Sequence, residues 1–310
     1  MLDYAIVGAG AVGCVLGGRL ALAGKRVGLI NRSPQTRDAV AANGLQLTLD
    51  GQRHTARVQA FTVEDAPSAR VVLVLTKTHQ LTAAVQGVLA AMPDAVWVTL
   101  QNGLGNGSRL AELVGPERTI HGVTMLPAVL SAPGVVSTMG ASTTWLGAFA
   151  PGAQAACEAI TADLVAAGVD AHMEAQVQNN IWQKACFNTA MNALCALTQG
   201  GPGLMAHVPD GLVLAHELVD EISAVALADG ADIDVAKIHA LVELGCAQHR
   251  FHKPSMLQDI LAQRLTEVEA LNGFVDARAQ ALGVPAPMNR MLLRLLRLRE
   301  RTPEFWALQG

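Results

Sequence analysis

The chain has 310 residues, 51% hydrophobic and 15% charged, with a formal net charge of −4. That length suits two domains with a sizeable core, and the charge balance argues against a nucleic-acid partner. No uncharged apolar run reaches the roughly 18 residues of a membrane span, and the apolar stretch near the start follows Asp3 rather than a basic residue, so neither a membrane nor a secretory role is expected.

The first predicted unit is a strand, a glycine turn and a helix. Residues 4–7 are apolar, Gly8-Ala9-Gly10-Ala11-Val12-Gly13 follows, and helical spacing then runs to about Ala23. Gly8 permits a tight turn, Gly10 lets the backbone approach a pyrophosphate, and Gly13 lets the helix pack close to the strand. The free N–H groups and the positive end of the helix favour phosphate, so Gly8, Ala9, Gly10, Ala11, Val12 and Gly13 are read as dinucleotide-binding. The second strand, residues 26–30, ends in Asn31-Arg32-Ser33, and no acidic residue follows before Asp38. A carboxylate here would accept from a ribose 2′-OH, whereas Arg32 can fork onto a 2′-phosphate with Asn31 or Ser33 as neutral donors. The pattern favours NADP(H) over NAD.

Further apolar strands are expected at residues 71–75, 96–100 and 120–125, with a helix over about 80–91. Continuous apolar strands separated by helices describe a doubly wound parallel sheet of the Rossmann type. Two loops leave the carboxyl ends of such strands, Thr76-Lys77-Thr78-His79-Gln80 and Gln101-Asn102-Gly103-Leu104-Gly105. Ligands bind there in open α/β sheets, which places Lys77 and Asn102 toward a nicotinamide ribose and a substrate. His79 reads as a packing or surface residue. From Ala153 onward the spacing is helical almost throughout, after one short strand at 169–173. The fold class is therefore α/β, with a nucleotide-binding domain over residues 1–174 and an all-α domain over 175–310.

In the helical half, Lys184, Asn188 and Asn192 recur every four positions. Successive members rotate by only about 40° on an α-helix, so they form one stripe. The plain alternative is the solvent side of an amphipathic helix, but such faces use Glu, Lys, Gln and Arg, and asparagine is a mediocre helix former. A lysine in apolar surroundings has a proton to give, and flanking amides can orient a small polar substrate. Further on, Ser255 and Glu267 would lie roughly 18 Å apart on one unbroken helix. Thr266-x-x-Glu269 resembles a capping box, and Ser255 follows Pro254, so a break and a new helix start at Thr266 are expected, bringing both side chains to helix N-termini. The spacing of Arg290, Arg294, Arg297, Arg299 and Arg301 reads as a solvated face. Cys14, Cys157, Cys186, Cys195 and Cys246 form no CxxC pair and no metal motif, so they read as buried thiols in a reducing, cytoplasmic setting.

Five segments together, GAGAVG, LTKTHQ, QNGLG, WQKACFNTAMN and SMLQDI…TEVEALNG, resemble the ketopantoate reductases over nearly the whole chain. The resemblance implies NADPH-dependent reduction of 2-dehydropantoate to (R)-pantoate, a step of pantothenate biosynthesis, in a cleft between a Rossmann domain and a helical domain. By motif, Lys184 would be the general acid and Glu267 its electrostatic partner. Asn102 would position substrate and cofactor, Asn188, Asn192 and Ser255 would hold the substrate, and Lys77 and Gln80 would line the cofactor edge. The implied partner is a small 2-oxo acid, and a homodimer is compatible with the reading. His252, Ala193 and Cys195 depart from the family pattern, which leaves open a different 2-oxo acid. A non-catalytic NADP sensor would need the glycine loop but not an aligned lysine, amides and carboxylate.

Overall fold

The computed structural model describes residues 1–140 and 142–307. Its backbone divides into two compact units, Met1–Gln101 with Gly105–Val177, and Asn102–Leu104 with Gln178–Gly310. The sequence reading separates its domains at 174/175. Nothing in the sequence marks the short loop Asn102–Leu104 as a member of the helical unit.

The first unit contains β1 (Leu2–Val7), α1 (Ala11–Leu22), β2 (Val27–Ile30), α2 (Pro34–Asn43), β3 (Leu45–Leu49), β4 (Gln52–Ala56), β5 (Gln59–Phe61) and β6 (Ala69–Val74). It continues through α3 (Leu81–Leu89), β7 (Val96–Thr99), α4 (Asn106–Val114), β8 (Thr119–Thr124), β9 (Val129–Ala132), β10 (Val135–Thr138), β11 (Thr143–Ala148), α5 (Gln154–Ala166) and β12 (Asp170–Met173). The main sheet runs β12-β11-β8-β7-β6-β1-β2-β5. Alternate residues of its strands enter two different cores: Tyr4, Ile6, Leu73 and Val98 pack on one face, and Ala5, Val7, Val72 and Trp97 on the other. Burial on both faces is why these strands are apolar without interruption.

Two parts of this unit differ from the sequence expectation. The main sheet is not wholly parallel, because β11 runs antiparallel to β8, with Trp145 opposite Val123. A second, four-stranded sheet of order β4-β3-β10-β9 also forms. Its outer strands are hard to recognise in sequence: β4 is Gln-Arg-His-Thr-Ala, and β9 is only Val-Leu-Ser-Ala, with every residue exposed. The predicted helix over 80–91 begins instead as a 3₁₀ turn at Thr78–Gln80 before α3.

The second unit is helical, with α6 (Val177–Thr198), α7 (Gly203–His207), α8 (Pro209–Ala228), α9 (Val235–Gln248), α10 (Ser255–Leu261), a π-helical turn (Glu269–Gly273), α11 (Phe274–Leu282) and α12 (Pro287–Ala307). Trp182, Cys186, Ala190 and Met191 of α6 share a core with Leu218, Ile222 and Val225 of α8, Ile238 and Val242 of α9, and Leu271 and Val275. Thus the middle of α6 is surrounded by other elements, and its polar stripe is half-buried at Lys184 and Asn188 and buried at Asn192, whereas Gln178 and Thr198 near its ends are exposed. Among the described residues, no helix is long and apolar enough to cross a membrane.

Candidate active site

The three glycines of the N-terminal turn differ in what the chain's own packing demands of them. Gly8 has φ +103°, and a Cβ there would stand 2.6 Å from the backbone nitrogen of Thr76, so both conformation and space exclude a side chain. A Cβ at Gly13 would collide with the Gly8 carbonyl oxygen and lie 3.1 Å from Ile6 Cγ2, which makes Gly13 the close-packing contact between α1 and β1. A Cβ at Gly10 would meet nothing within 4 Å. The chain's own packing therefore does not require glycine at position 10. Gly10 also begins α1 without any side-chain cap, leaving the N–H groups of Ala11, Val12 and Gly13 at an uncapped helix start. A pyrophosphate fits this cradle: it needs close backbone approach at Gly10 and unsatisfied N–H donors behind it.

At the end of β2, the Ser33 hydroxyl accepts from Gln35 N at 3.3 Å and caps α2, and the Asn31 amide donates to Thr36 Oγ1 at 3.2 Å. Both of the neutral donors considered from the sequence thus have intramolecular work. Arg32 is exposed, and its guanidinium forms no ion pair among the described residues. Farther along the sheet, Lys77 is half-buried at the start of the 3₁₀ turn that contains Gln80. Gln101 is a residue to which sequence reasoning assigned no role. It is buried, donates to the Thr76 carbonyl at 2.7 Å and accepts from Thr99 Oγ1 at 3.0 Å. The loops after β6 and β7 are thereby tied together just before Lys77 and Asn102. Its position beside a motif loop was visible in sequence, but its partner 25 residues away was not.

In the second unit the polar stripe of α6 is enclosed. Lys184 and Asn188 are half-buried and Asn192 is buried. Lys184 Nζ donates to Asn102 Oδ1 at 2.7 Å, which joins two residues 82 positions apart. Burial pushes the Lys184 ammonium down to about 8, and the Glu267 carboxylate opposes that shift by favouring the charged form. Glu267 itself is only 8% exposed. At neutral pH the ammonium is therefore mostly charged yet poised to release its proton.

The segment from Ser255 to Glu267 is broken, as the sequence suggests. The helix α10 ends at Leu261, Gln263 has φ 52°, and the buried Asp259 carboxylate accepts from Arg264 at 3.0 Å to close the turn. Ser255 is the first helical residue of α10, and Glu267 lies just before the π-helical turn. The expected capping box at Thr266 forms only in part. Thr266 Oγ1 accepts from Val268 N at 3.1 Å, but the Thr266 N–H donates to Glu300 at 2.8 Å rather than to Glu269. Glu269 is drawn instead to Arg297, with two contacts of 2.6 Å. A bidentate Arg–carboxylate pair is stronger than a single neutral cap, so α12 takes over the role of the missing half. Of the residues predicted for the site, Lys184, Asn102 and Glu267 interact within this unit. Among the described residues, Asn188, Asn192 and Ser255 form no hydrogen bond or ion pair with that trio; Asn188 and Asn192 follow Lys184 on α6 and Ser255 begins α10. His252 is exposed, 6.5 Å from the ring of His249.

Two family models match the chain: "Ketopantoate reductase PanE/ApbA" over residues 4–151 and "Ketopantoate reductase PanE/ApbA C terminal" over residues 176–300. A 2-dehydropantoate 2-reductase of Streptococcus pyogenes serotype M3 is 30% identical over 302 residues, covering 97% of this chain and 98% of its own length. Among solved structures, a PanE/ApbA family ketopantoate reductase from Ralstonia eutropha superimposes with TM-score 0.88 at 31% identity, covering 97% of this chain and 99% of the other. A D-mandelate dehydrogenase in a ternary complex with NADH and anilino(oxo)acetate superimposes with TM-score 0.90 at 27% identity, covering 96% and 98%.

Proposed function

The chain belongs to the ketopantoate reductase family of oxidoreductases, and from that premise we propose that it reduces 2-dehydropantoate to (R)-pantoate with NADPH, Lys184 serving as the proton donor. The observation that carries this reading is the half-buried Lys184 ammonium, hydrogen-bonded to Asn102 at 2.7 Å and electrostatically supported by Glu267. NADPH, when bound, supplies hydride to the ketone carbon, and the carbonyl electron pair moves onto oxygen. Lys184 Nζ stabilises that oxygen and gives it a proton, a task worth about 10² to 10⁴ in rate. Asn102 Oδ1 accepts from Lys184 and aims the ammonium, and Glu267 keeps it charged. Asn188, Asn192 and Ser255 are assigned to the substrate's hydroxyl and carboxylate, and Lys77 and Gln80 to the cofactor edge.

The first unit would hold the cofactor on Gly8 to Gly13. The preference for NADPH rests on the exposed Arg32 and on the absence of an acidic residue between Ile30 and Asp38. A second reading, reduction of a bulkier 2-oxo acid with NADH, is favoured by the likeness to D-mandelate dehydrogenase. One screen separates these readings. Oxidation at 340 nm is followed with NADPH and NADH against 2-dehydropantoate, simple aliphatic 2-oxo acids and phenylglyoxylate. NADPH consumption led by 2-dehydropantoate supports the first reading, and turnover led by NADH and phenylglyoxylate supports the second. Binding of NADPH with no consumption across the panel would make the protein a sensor and overturn both.

A further inference from the structure

The residues assigned to proton transfer come from three distant segments, and all three are mounted around one irregular feature, the π-helical turn Glu269–Gly273. Such turns are rare and recur at functional sites. Here the turn is gripped from several sides. Gly103, with φ +92°, lies so close that a Cβ would stand 2.8 Å from both Ala270 Cβ and the Ala270 carbonyl oxygen, and Leu104 N donates to that oxygen at 2.9 Å. The loop carrying Asn102 is thereby seated on the turn. Ala270 N and Leu271 N both donate to the Glu267 carbonyl at 3.1 Å, so the backbone of Glu267 is anchored to the same turn. The link to α6 is Asn272, which is fully buried. Its Nδ2 donates to the Thr189 carbonyl at 3.3 Å and to Asn289 Oδ1 at 2.9 Å, and Asn289 Nδ2 returns a bond to the Asn272 carbonyl at 3.0 Å. Asn289 is in turn fixed by its own N–H, which donates to Glu221 at 2.7 Å.

We propose that Asn272 is a positioning residue for this reaction: it holds the π-helical turn on α6 and so sets the separation of Glu267 from Lys184. The inference rests on the reading of Lys184 as proton donor, but its geometry does not. An amide suits the role because its NH₂ supplies two donors on one rigid plane, so it can hold a main-chain carbonyl of α6 and a side chain of α12 together. A buried polar residue used only for stability could be replaced by an apolar one without altering the charge balance at Lys184. A positioning residue could not.

The test reads Lys184 with and without turnover. Asn272→Ala and the milder Asn272→Ser are made, with Val242→Ala, a core truncation in α9, as a control for lost stability. Trace acylation of Lys184 by acetic anhydride across pH, read by mass spectrometry, gives the midpoint of its ionisation, and the kcat profile gives the basic limb. With Glu267 less well placed, the midpoint should fall by about half a pH unit or more in each Asn272 variant that folds, because a nearby carboxylate is what favours the charged form. The basic limb of kcat should move with it, and KM should change less than kcat. Val242→Ala should lower Tm and leave the midpoint unmoved. An unmoved midpoint in a folded Asn272 variant, with only Tm lowered, overturns the proposal. If Lys184→Ala retains turnover, the proton-donor reading fails instead, and the acylation midpoint still decides the role of Asn272.

Discussion

The glycine turn of the first unit and the polar stripe of the second are built from different material. At the turn the working atoms are backbone N–H groups, and the residue types are dictated by what cannot be there: a Cβ at Gly8 or Gly13 strikes main chain. At the stripe the working atoms are side-chain termini, and they depend on partners far away in sequence, Asn102 lying 82 residues from Lys184. Backbone sites are therefore vulnerable to added bulk. Side-chain sites are vulnerable to lost partners and to pH.

The largest effect is expected at the stripe. Lys184→Ala should lower kcat by at least about a hundredfold and leave NADPH affinity near its original value, measured by steady-state kinetics and fluorescence titration. Near-normal turnover would remove Lys184 from the chemistry. In the unmodified protein, activity should be high below the Lys184 value of about 8 and fall as pH rises through it, since only the ammonium can donate. Glu267→Gln should lower kcat and shift that fall to lower pH, because the charge that opposes desolvation is gone.

Next come the glycines, which sharpen the contrast directly. Gly13→Ala places its Cβ against the Gly8 carbonyl and should lower Tm, with a cost of about 1–3 kcal/mol typical of forced packing. Gly10→Ala meets nothing within 4 Å and should leave Tm unchanged. Its Kd for NADPH should nevertheless rise by roughly tenfold or more, from loss of close backbone approach to the pyrophosphate. Unchanged binding in that variant would mean that the turn does not cradle the cofactor.

A smaller effect is expected at Arg32. Replacement by Ala should weaken NADPH more than NADH, by about 1.5–3 kcal/mol for one charge-assisted contact. Equal weakening of both would separate Arg32 from the 2′-phosphate. The smallest and most variable effect is at Ser255, where loss of one hydroxyl contact should raise KM by an amount equivalent to about 0.5–3 kcal/mol and leave kcat nearly intact. A fall in kcat with KM unchanged would move Ser255 away from substrate binding.

Much of the first unit was legible because its determinants are local. An apolar run followed by Gly8, Gly10 and Gly13 specifies strand, turn and helix within a few residues, and burial on both faces makes the central strands conspicuous. The four-stranded sheet is not legible in the same way: β3–β4 and β9–β10 are local hairpins, but β4 is polar and β9 is short and exposed, and the pairing that makes them one sheet joins β10 to β3 from a distant part of the chain. The start of α10 is readable from Pro254 and the break after it from Thr266-x-x-Glu269, but the partner that caps Thr266 is not, since Glu300 arrives from another helix.

What the sequence determined by itself was the periodicity of α6, which puts Lys184, Asn188 and Asn192 on one stripe, and the glycine spacing that forms the turn. Tertiary structure decided that the stripe is enclosed rather than solvated. It also decided that Asn102 and Glu267 reach Lys184, and that the π-helical turn gathers their supports. Helical and turn spacing act over a few residues through backbone geometry, whereas the charge state of a buried lysine is set by desolvation and by groups brought close only when distant segments pack.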